Sequence, residues 1–272
     1  MRVYVFGPCC CILLICLTFA PGVSADLQAP QLTIGDHWNY RGNYIGTTAT
    51  SSVTITGRTN ITVEDTVYDV YVHVNVVEGT GPQNTKIHRT QTTYINTADG
   101  AVVKIRDDFN YTSDVANQSF EKDYVFTPPL ITMHYPLAVG DRWQNQGTMK
   151  SLDLRTNETS DTSINESYIC DQIVSESEMG RTFNCYMVKK SESILGQRSN
   201  YTYYFSGVFG YQPIRTDVEL SGMDFASLRL TDYQVAHPGA SVEDANKNTP
   251  GFELVPLLAG VAILILWKKR SK

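Results

Sequence analysis

Two carboxylates stand in matching surroundings: Asp36 in LTIGDHWNYRG (32–42) and Asp141 in LAVGDRWQNQG (137–147). A pair of carboxylates can hydrolyse a glycoside, one as acid and the other as nucleophile or base, if the fold holds them within about 10 Å. Nothing in a spacing of 105 residues brings them that close. The phrase around them points elsewhere. In Gly-Asp-x-Trp the glycine permits a tight turn and the aspartate can cap it. The tryptophan then opens a strand and buries a large ring. Gly35, Asp36, Trp38 and Gly140, Asp141, Trp143 therefore read as equivalent corners of a repeated structure, each with a further Gly four residues after the Trp.

The other reactive types are sparse. His73 and His88 could face each other across neighbouring strands, but two histidines on a sheet face are usually polar surface. Asp107-Asp108 beside Asn110 could hold a cation loosely, and reads better as a solvated turn. The segment DANKNTPGFELV (244–255) starts like a calcium loop but has Thr249 where glycine is needed and no closing glutamate. GTGPQN (79–84) lacks the third glycine of a dinucleotide loop. No nucleophile elbow, His-Glu-x-x-His or phosphate-binding loop is present. The expectation is no catalytic residue, no metal site and no cofactor. Tyr201, Tyr203 and Tyr204 cluster beside Phe205 and could stack on a sugar or line a lipid pocket; ordinary β core is the better reading.

Cys170 and Cys185 lie in YICDQIVSESEMGRTFNCYMV, which reads as strand, turn at 177–180, strand. Folding there brings the two close to opposite each other, and outside the cell an isolated pair usually bridges. A disulfide closing a loop of about 15 residues would contribute about 3 kcal/mol in the chain-entropy estimate.

The elements that must carry these residues are strands. Helical periodicity is scarce between 26 and 240, and alternation is common. VYDVYVHVNVV (67–77) puts Val70, Val72, Val74 and Val76 on one face and Tyr71, His73, Asn75 and Val77 on the other. Asp99-Gly100 marks a hairpin. The repeat extends past the opening phrase: YDVYV (68–72) aligns with FNCYM (183–187), and TTYINTADGAVVKI (92–105) with TYYFSGVFGYQPI (202–214). The expected fold is all-β and antiparallel, of about a dozen short strands. Two diverged repeats, 26–127 and 128–235, would form a curved sheet, sandwich or half-barrel, with a C-terminal hydrophobic helix. FTPPLITMHYP (126–136) is the joint between them.

The ends set the compartment. Residues 1–25 have a basic start, an apolar core and small residues at 23–25, the form of a secretory signal that carries four of the six cysteines. A polar linker, 236–249, leads to Pro250-Gly251-Phe252, an apolar run to Trp267 and a basic end. Gly251 to Trp267 would span about 25 Å as a helix, the short end of what crosses a bilayer. The terminal cations predict an outside ectodomain. The tail, 250–272, resembles the PGF-CTERM sorting signal of archaeal surface proteins. That resemblance implies cleavage near the motif by an archaeosortase and attachment of the new end to a lipid.

Leaving aside Arg2, the four tail cations and Glu253, the ectodomain carries 17 basic and 27 acidic residues, a net charge of −10. Such a surface excludes a nucleic-acid footprint. Six sequons, at Asn60, Asn110, Asn117, Asn157, Asn165 and Asn200, are credible glycan acceptors in an exported chain. YPLAVGDRW, FNCYMVKK and YYFSGVFGYQPIRT also resemble a loose group of exported, uncharacterised two-repeat β proteins, a likeness that implies fold more than activity. The function expected is that of a non-enzymatic, membrane-anchored archaeal surface glycoprotein with a structural or binding role, its partners the membrane, the processing enzyme and envelope proteins or glycans. The alternative is a carrier or receptor for a lipid or other hydrophobe on a curved sheet.

Overall fold

The structure, a computed structural model, describes residues 26–194 and 197–236. Twelve antiparallel strands follow in chain order: β1 (His37–Tyr44), β2 (Thr47–Val63), β3 (Thr66–Thr80), β4 (Lys86–Asn96), β5 (Val102–Thr112), β6 (Asn117–Leu130), β7 (Arg142–Asp153), β8 (Thr159–Glu178), β9 (Arg181–Ile194), β10 (Gln197–Phe205), β11 (Arg215–Leu220) and β12 (Met223–Gln234). Each pairs with its neighbours in sequence, and β1 pairs with β12, so the sheet closes into a barrel. This corrects the expectation of a curved sheet, sandwich or half-barrel. Closure leaves no free strand edge along the barrel wall itself, which reduces the aggregation hazard an open sheet of this size would carry. Among the described residues the only helical element is a 3₁₀ turn at Gly207–Phe209. The expected C-terminal helix lies outside the described residues, as do the signal segment and the linker after residue 236.

All odd-numbered strands run one way, so the barrel has two distinct ends. At the lower end lie the chain start, the β2–β3, β4–β5 and β8–β9 turns, the segments 131–141 and 206–214, and the exit after β12. At the upper end lie the β1–β2, β3–β4, β5–β6, β7–β8 and β11–β12 turns.

The two halves, β1–β6 and β7–β12, are built alike. Ile55 pairs with His73 just before a bulge at Thr56, and Cys170 pairs with Val188 just before a bulge at Asp171. Both members of the pair are displaced by the same 115 residues. A β-bulge bends its strand, and beyond these two bulges the β2–β3 and β8–β9 hairpins continue past the rest of the sheet. The first covers a small outer core of Val63, Val70 and Val103, with Tyr68, Tyr94 and Val125 against it. The second is tied back by Glu176 to Arg215 at 3.4 Å and Glu178 to Arg229 at 2.5 Å. The joint between the halves begins within β6: its pairing with β7 stops at Thr127, just before Pro128 and Pro129.

Inward positions hold the core. A twelve-stranded barrel encloses more space than the eight-stranded kind that side chains just fill, and large rings occupy it here. Trp38, Tyr44, Phe109, Tyr124, Tyr201, Phe209 and Tyr211 are all buried to within 1 %. Tyr201, Tyr203 and Phe205 stack along the inner face of β10, whereas Tyr204 points out under Arg215. The outer face is polar: Thr48, Thr50 and Ser52 on β2, Lys86 and His88 on β4, Arg106 and Asp108 on β5, Gln144 and Gln146 on β7 are exposed. That pattern is the inverse of a lipid-embedded barrel, which turns its apolar residues outward.

Candidate functional site

The duplicated phrase builds two matching corners at the lower end. Gly35 and Gly140 have φ of 97° and 98°, a backbone conformation that suits glycine. The Asp36 carboxylate accepts from the Thr33 amide at 2.9 Å, and that of Asp141 from the Ala138 amide at 2.7 Å. The adjoining backbone bonds also match. Gly35 N–H donates to Ile55 O and Gly140 N–H to Cys170 O, each at 2.8 Å. Ile55 N–H donates to Asp36 O and Cys170 N–H to Asp141 O, each at 2.9 Å. The later glycines complete the corners. A Cβ on Gly42 would stand 1.9 Å from Ser227 O of β12, and one on Gly147 2.5 Å from Thr127 O of β6, so each admits a neighbouring strand closely. Asp36 also accepts from the Ala236 amide at 2.7 Å, fastening the end of the described chain. Each carboxylate is engaged in its own turn. The tryptophans differ in cover and in partner: Trp38 is buried and donates to Phe209 O at 2.9 Å, while Trp143 is half-buried, stacks on Tyr168 at 4.9 Å and donates to Ile131 O at 3.2 Å.

The concentration of chemistry lies inside the barrel. In the first half Arg89 and Asp107, both fully buried, form a bidentate pair at 2.8 Å, and Arg89 also donates to Tyr44 OH at 3.0 Å. Burial alone would lower the Arg89 pKa; Asp107 and Tyr44 more than offset it and raise it. Ser51 Oγ donates to Asn75 Oδ1 at 2.7 Å. His73 Nε2 accepts from Gln212 Nε2 at 2.8 Å, and Gln212 Oε1 accepts from Tyr40 OH at 3.2 Å. Burial pushes the His73 pKa down to about 3, so the ring is neutral.

In the second half Lys190 lies between Glu166 at 2.6 Å and Glu192 at 2.7 Å, all three nearly inaccessible. Glu166 accepts further bonds from Tyr168 at 2.9 Å and Asn145 at 3.1 Å, and Glu192 accepts one from Tyr201 at 2.5 Å. Burial lowers the Lys190 pKa and the two carboxylates override it, for a net rise. For Glu166, burial raises the pKa but Lys190 and the donors hold it down; for Glu192, burial prevails and the pKa is raised. The belt thus sets one ammonium between two buried carboxyl groups.

Several interior atoms of the first half have no partner within the protein: both amide atoms of Gln91, Thr93 Oγ1, His73 Nδ1 and Tyr124 OH. They occupy inward positions on β3, β4 and β6, with His73 opposite Thr93 and Tyr124 opposite Ile105 of the intervening β5. Buried polar groups of this kind are usually met by internal water.

The remaining sequence candidates separate. His73 faces inward, but His88 is exposed on the outer face of β4, 3.7 Å from Glu78, so the two do not meet. Asp107 points inward to Arg89 while Asp108 points out, which disposes of a shared cation. Among the described residues no group of three or more His, Cys, Asp or Glu side chains is placed to hold a metal. Cys170 and Cys185 are buried but unbridged, correcting the expected disulfide. The register of the β8–β9 hairpin is the reason: Cys185 stands opposite Val174, four positions along β8 from Cys170, and the Asp171 bulge also changes the face. Cys170 pairs with Val188 and Cys185 with Val174, and three positions along β9 turn Cys185 to the opposite face from Cys170. Side chains on opposite faces of a strand pair cannot bridge without backbone movement. At the 115-residue offset these positions match Ile55 and Val70, so the thiols serve as small apolar core residues. Burial pushes both pKa values up to about 12. Five sequon asparagines are exposed, and Asn200 is half-buried, accepting from Ser191 Oγ at 2.9 Å. Pro250, Gly251 and Phe252 lie outside the described residues.

Two grooves score the outer surface of the upper half. One, about 640 Å³, is bounded by Arg41, Glu78, Lys86, His88 and Asn110. The other, about 630 Å³, is bounded by Asn43, Asn200, Asp217, Glu219 and Asp224.

No family model matches the chain, and no curated protein matches it. A structural similarity exists to the crystal structure of a candidate lipoprotein from Parabacteroides distasonis, at 14 % identity and a TM-score of 0.35, covering 77 % of this chain and 99 % of that one. A likeness at that level carries no functional argument.

Proposed function

We propose that this chain is an exported, non-enzymatic surface glycoprotein, held to the archaeal membrane through its C-terminal segment, whose barrel serves as a rigid structural or binding body in the envelope. One observation carries the reading. The described chain leaves the barrel at its lower end, and five of the six sequon asparagines lie in the opposite half. Asn110 and Asn117 flank the β5–β6 turn, Asn157 lies in the β7–β8 turn, Asn165 is the seventh residue of β8, and Asn200 is the fourth of β10. A body standing on its C-terminal tail would present these positions outward, clear of the lipid.

The interior does not favour the carrier alternative. A hydrophobic ligand would have to displace packed rings and lie against Arg89, Asp107, Lys190, Glu166 and Glu192, and charges buried in pairs lose heavily when one partner is taken away. The engaged carboxylates of Asp36 and Asp141 likewise fit architecture better than hydrolysis.

The test is intact-mass and glycopeptide analysis of the chain isolated from its native cells. Glycan on the upper-half asparagines, together with a chain ending near Pro250 and bearing a lipid mass, is the expected result. An unmodified chain recovered from the cytosolic fraction would overturn the proposal.

A further inference from the structure

We infer that the lower end of the barrel is a membrane-contact face, an apolar rim that rests on the surface of the bilayer; this rests on the C-terminal tether proposed above. Eight large hydrophobic side chains are exposed among the described residues, and five of them lie toward the lower end: Ile34, Val67, Ile131, Val139 and Ile173. They come from four separate places, namely the segment before β1, the β2–β3 hairpin, the 131–141 segment and the β8–β9 hairpin. Only Val115 and Met223 are exposed at the upper end. Single exposed apolar residues are ordinary, but a collection gathered on one end marks an interaction surface.

The choice of lipid as the occupant follows from where the chain goes. After Ala236 at this same end, 13 residues precede the Pro-Gly-Phe motif and the apolar run. Fully extended they reach about 45 Å. The tether thus permits contact without enforcing it, and it keeps the rim at high local concentration beside the bilayer. The repeat contributes symmetrically: Ile34 and Val139 are the same position in LTIGD and LAVGD, exposed at 57 % and 50 % beside their capped turns. Both stand on rigid corners rather than free loops. Charges nearby are of mixed sign, with Glu64 and Asp65 on one hairpin and Arg142 and Arg181 at the starts of β7 and β9. The contact is therefore apolar, needs no anionic lipid, and resists salt.

The experiment uses the chain from Asp26 to its C-terminus, without the signal segment and its four cysteines, reconstituted into zwitterionic vesicles containing headgroup-region spin-labelled lipid. Single fluorophores are placed through Ile34→Cys, Val139→Cys, Val115→Cys or Met223→Cys. The native thiols at 170 and 185 are buried and do not compete. Flotation reads the tether and quenching reads the contact. The expected result is flotation of all four variants, with labels at 34 and 139 quenched at least threefold more than those at 115 and 223, unchanged in high salt. With a label at Ile131→Cys, the added pair Ile34→Glu and Val139→Glu should cut quenching about threefold and leave flotation intact. Flotation with equal, weak quenching at all sites would overturn the membrane face and leave the tether standing. A chain that stays with the aqueous phase would overturn both.

Discussion

Replacing Lys190 by methionine tests whether the interior belt is a connected electrostatic structure. Methionine keeps the length of the stem and removes only the cation. Lys190 holds Glu166 at 2.6 Å and Glu192 at 2.7 Å, and none of the three reaches solvent to any useful extent. Without the ammonium, Glu166 keeps its bonds from Asn145 and Tyr168, and Glu192 keeps only that from Tyr201. Two carboxylates then share a water-poor interior with no counter-charge. Removing one partner of a buried ion pair costs about 3–5 kcal/mol. For a body of this size that is about 6–20 °C in Tm.

The pH dependence gives the sharper readout. In K190M the folded-state pKa values of both glutamates rise above the unfolded value of about 4.3. The folded state then binds more protons than the unfolded state at neutral pH. The deficit relative to the parent is fully present at high pH and shrinks as pH falls through the raised folded values toward 4. Chemical denaturation of parent and K190M at pH 8, 6 and 5 measures this. The triple variant K190M/E166Q/E192Q, which removes all three charges, should recover most of the loss. A deficit below about 1 kcal/mol, or one that does not change with pH, would refute the reasoning.

Other outcomes follow from the same geometry. Gly42→Ala and Gly147→Ala should each destabilise by about 1–3 kcal/mol, because the new methyl meets backbone of the neighbouring strand, β12 or β6; equal stability to the parent in urea melts would show that the strands yield. Cys170 and Cys185 should resist iodoacetamide in the native protein and both react after denaturation without reductant, and Cys185→Val should cost less than about 1.5 kcal/mol, since valine already fills the matching position 70. His73, with a folded pKa of about 3 against about 6.5 unfolded, contributes stability that is present above pH 6.5 and lost as pH falls below it. Stability of His73→Gln should therefore fall less steeply between pH 6.5 and 4 than that of the parent.

Much of the frame is legible in the amino-acid sequence because it is local. Alternation marks strands, Asp99-Gly100 marks a turn, and the Gly-Asp-x-Trp phrase marks two corners. Closure is not local. Pairing of β1 with β12 joins residues nearly 200 positions apart and leaves no mark in either strand. The bulges at Thr56 and Asp171 are also silent, and the second moved the cysteines onto opposite faces. Alternation in VYDVYVHVNVV separates two faces without saying which is inside, and the barrel takes in His73 and Asn75 while Val72, Val74 and Val76 lie half-exposed outside. One signal for the interior belt was present. On β4, Ile87 and Ile95 share a face with Arg89, Gln91 and Thr93, so apolar residues bracket polar ones along a single inward row.

Comparison of the halves shows what the duplication maintains. At the corners the glycine turns, the aspartate caps, the tryptophan opens a strand, and the later glycine admits a neighbouring strand, in both halves. At the matched interior positions the residues differ. Ser51 corresponds to Glu166, Asn75 to Lys190, Val77 to Glu192 and Gln91 to Tyr201, by the same registers. A duplicated active or binding site would keep its interior chemistry and tolerate change in the frame. Here the frame is kept and the interior has diverged into one ion pair beside an uncharged, partly unpaired cluster in one half and a charged triad in the other. The phrase is written twice because a barrel closed from two six-stranded halves has two places where the chain must turn from a loop into a strand against a bulged neighbour, and each requires the same four residues.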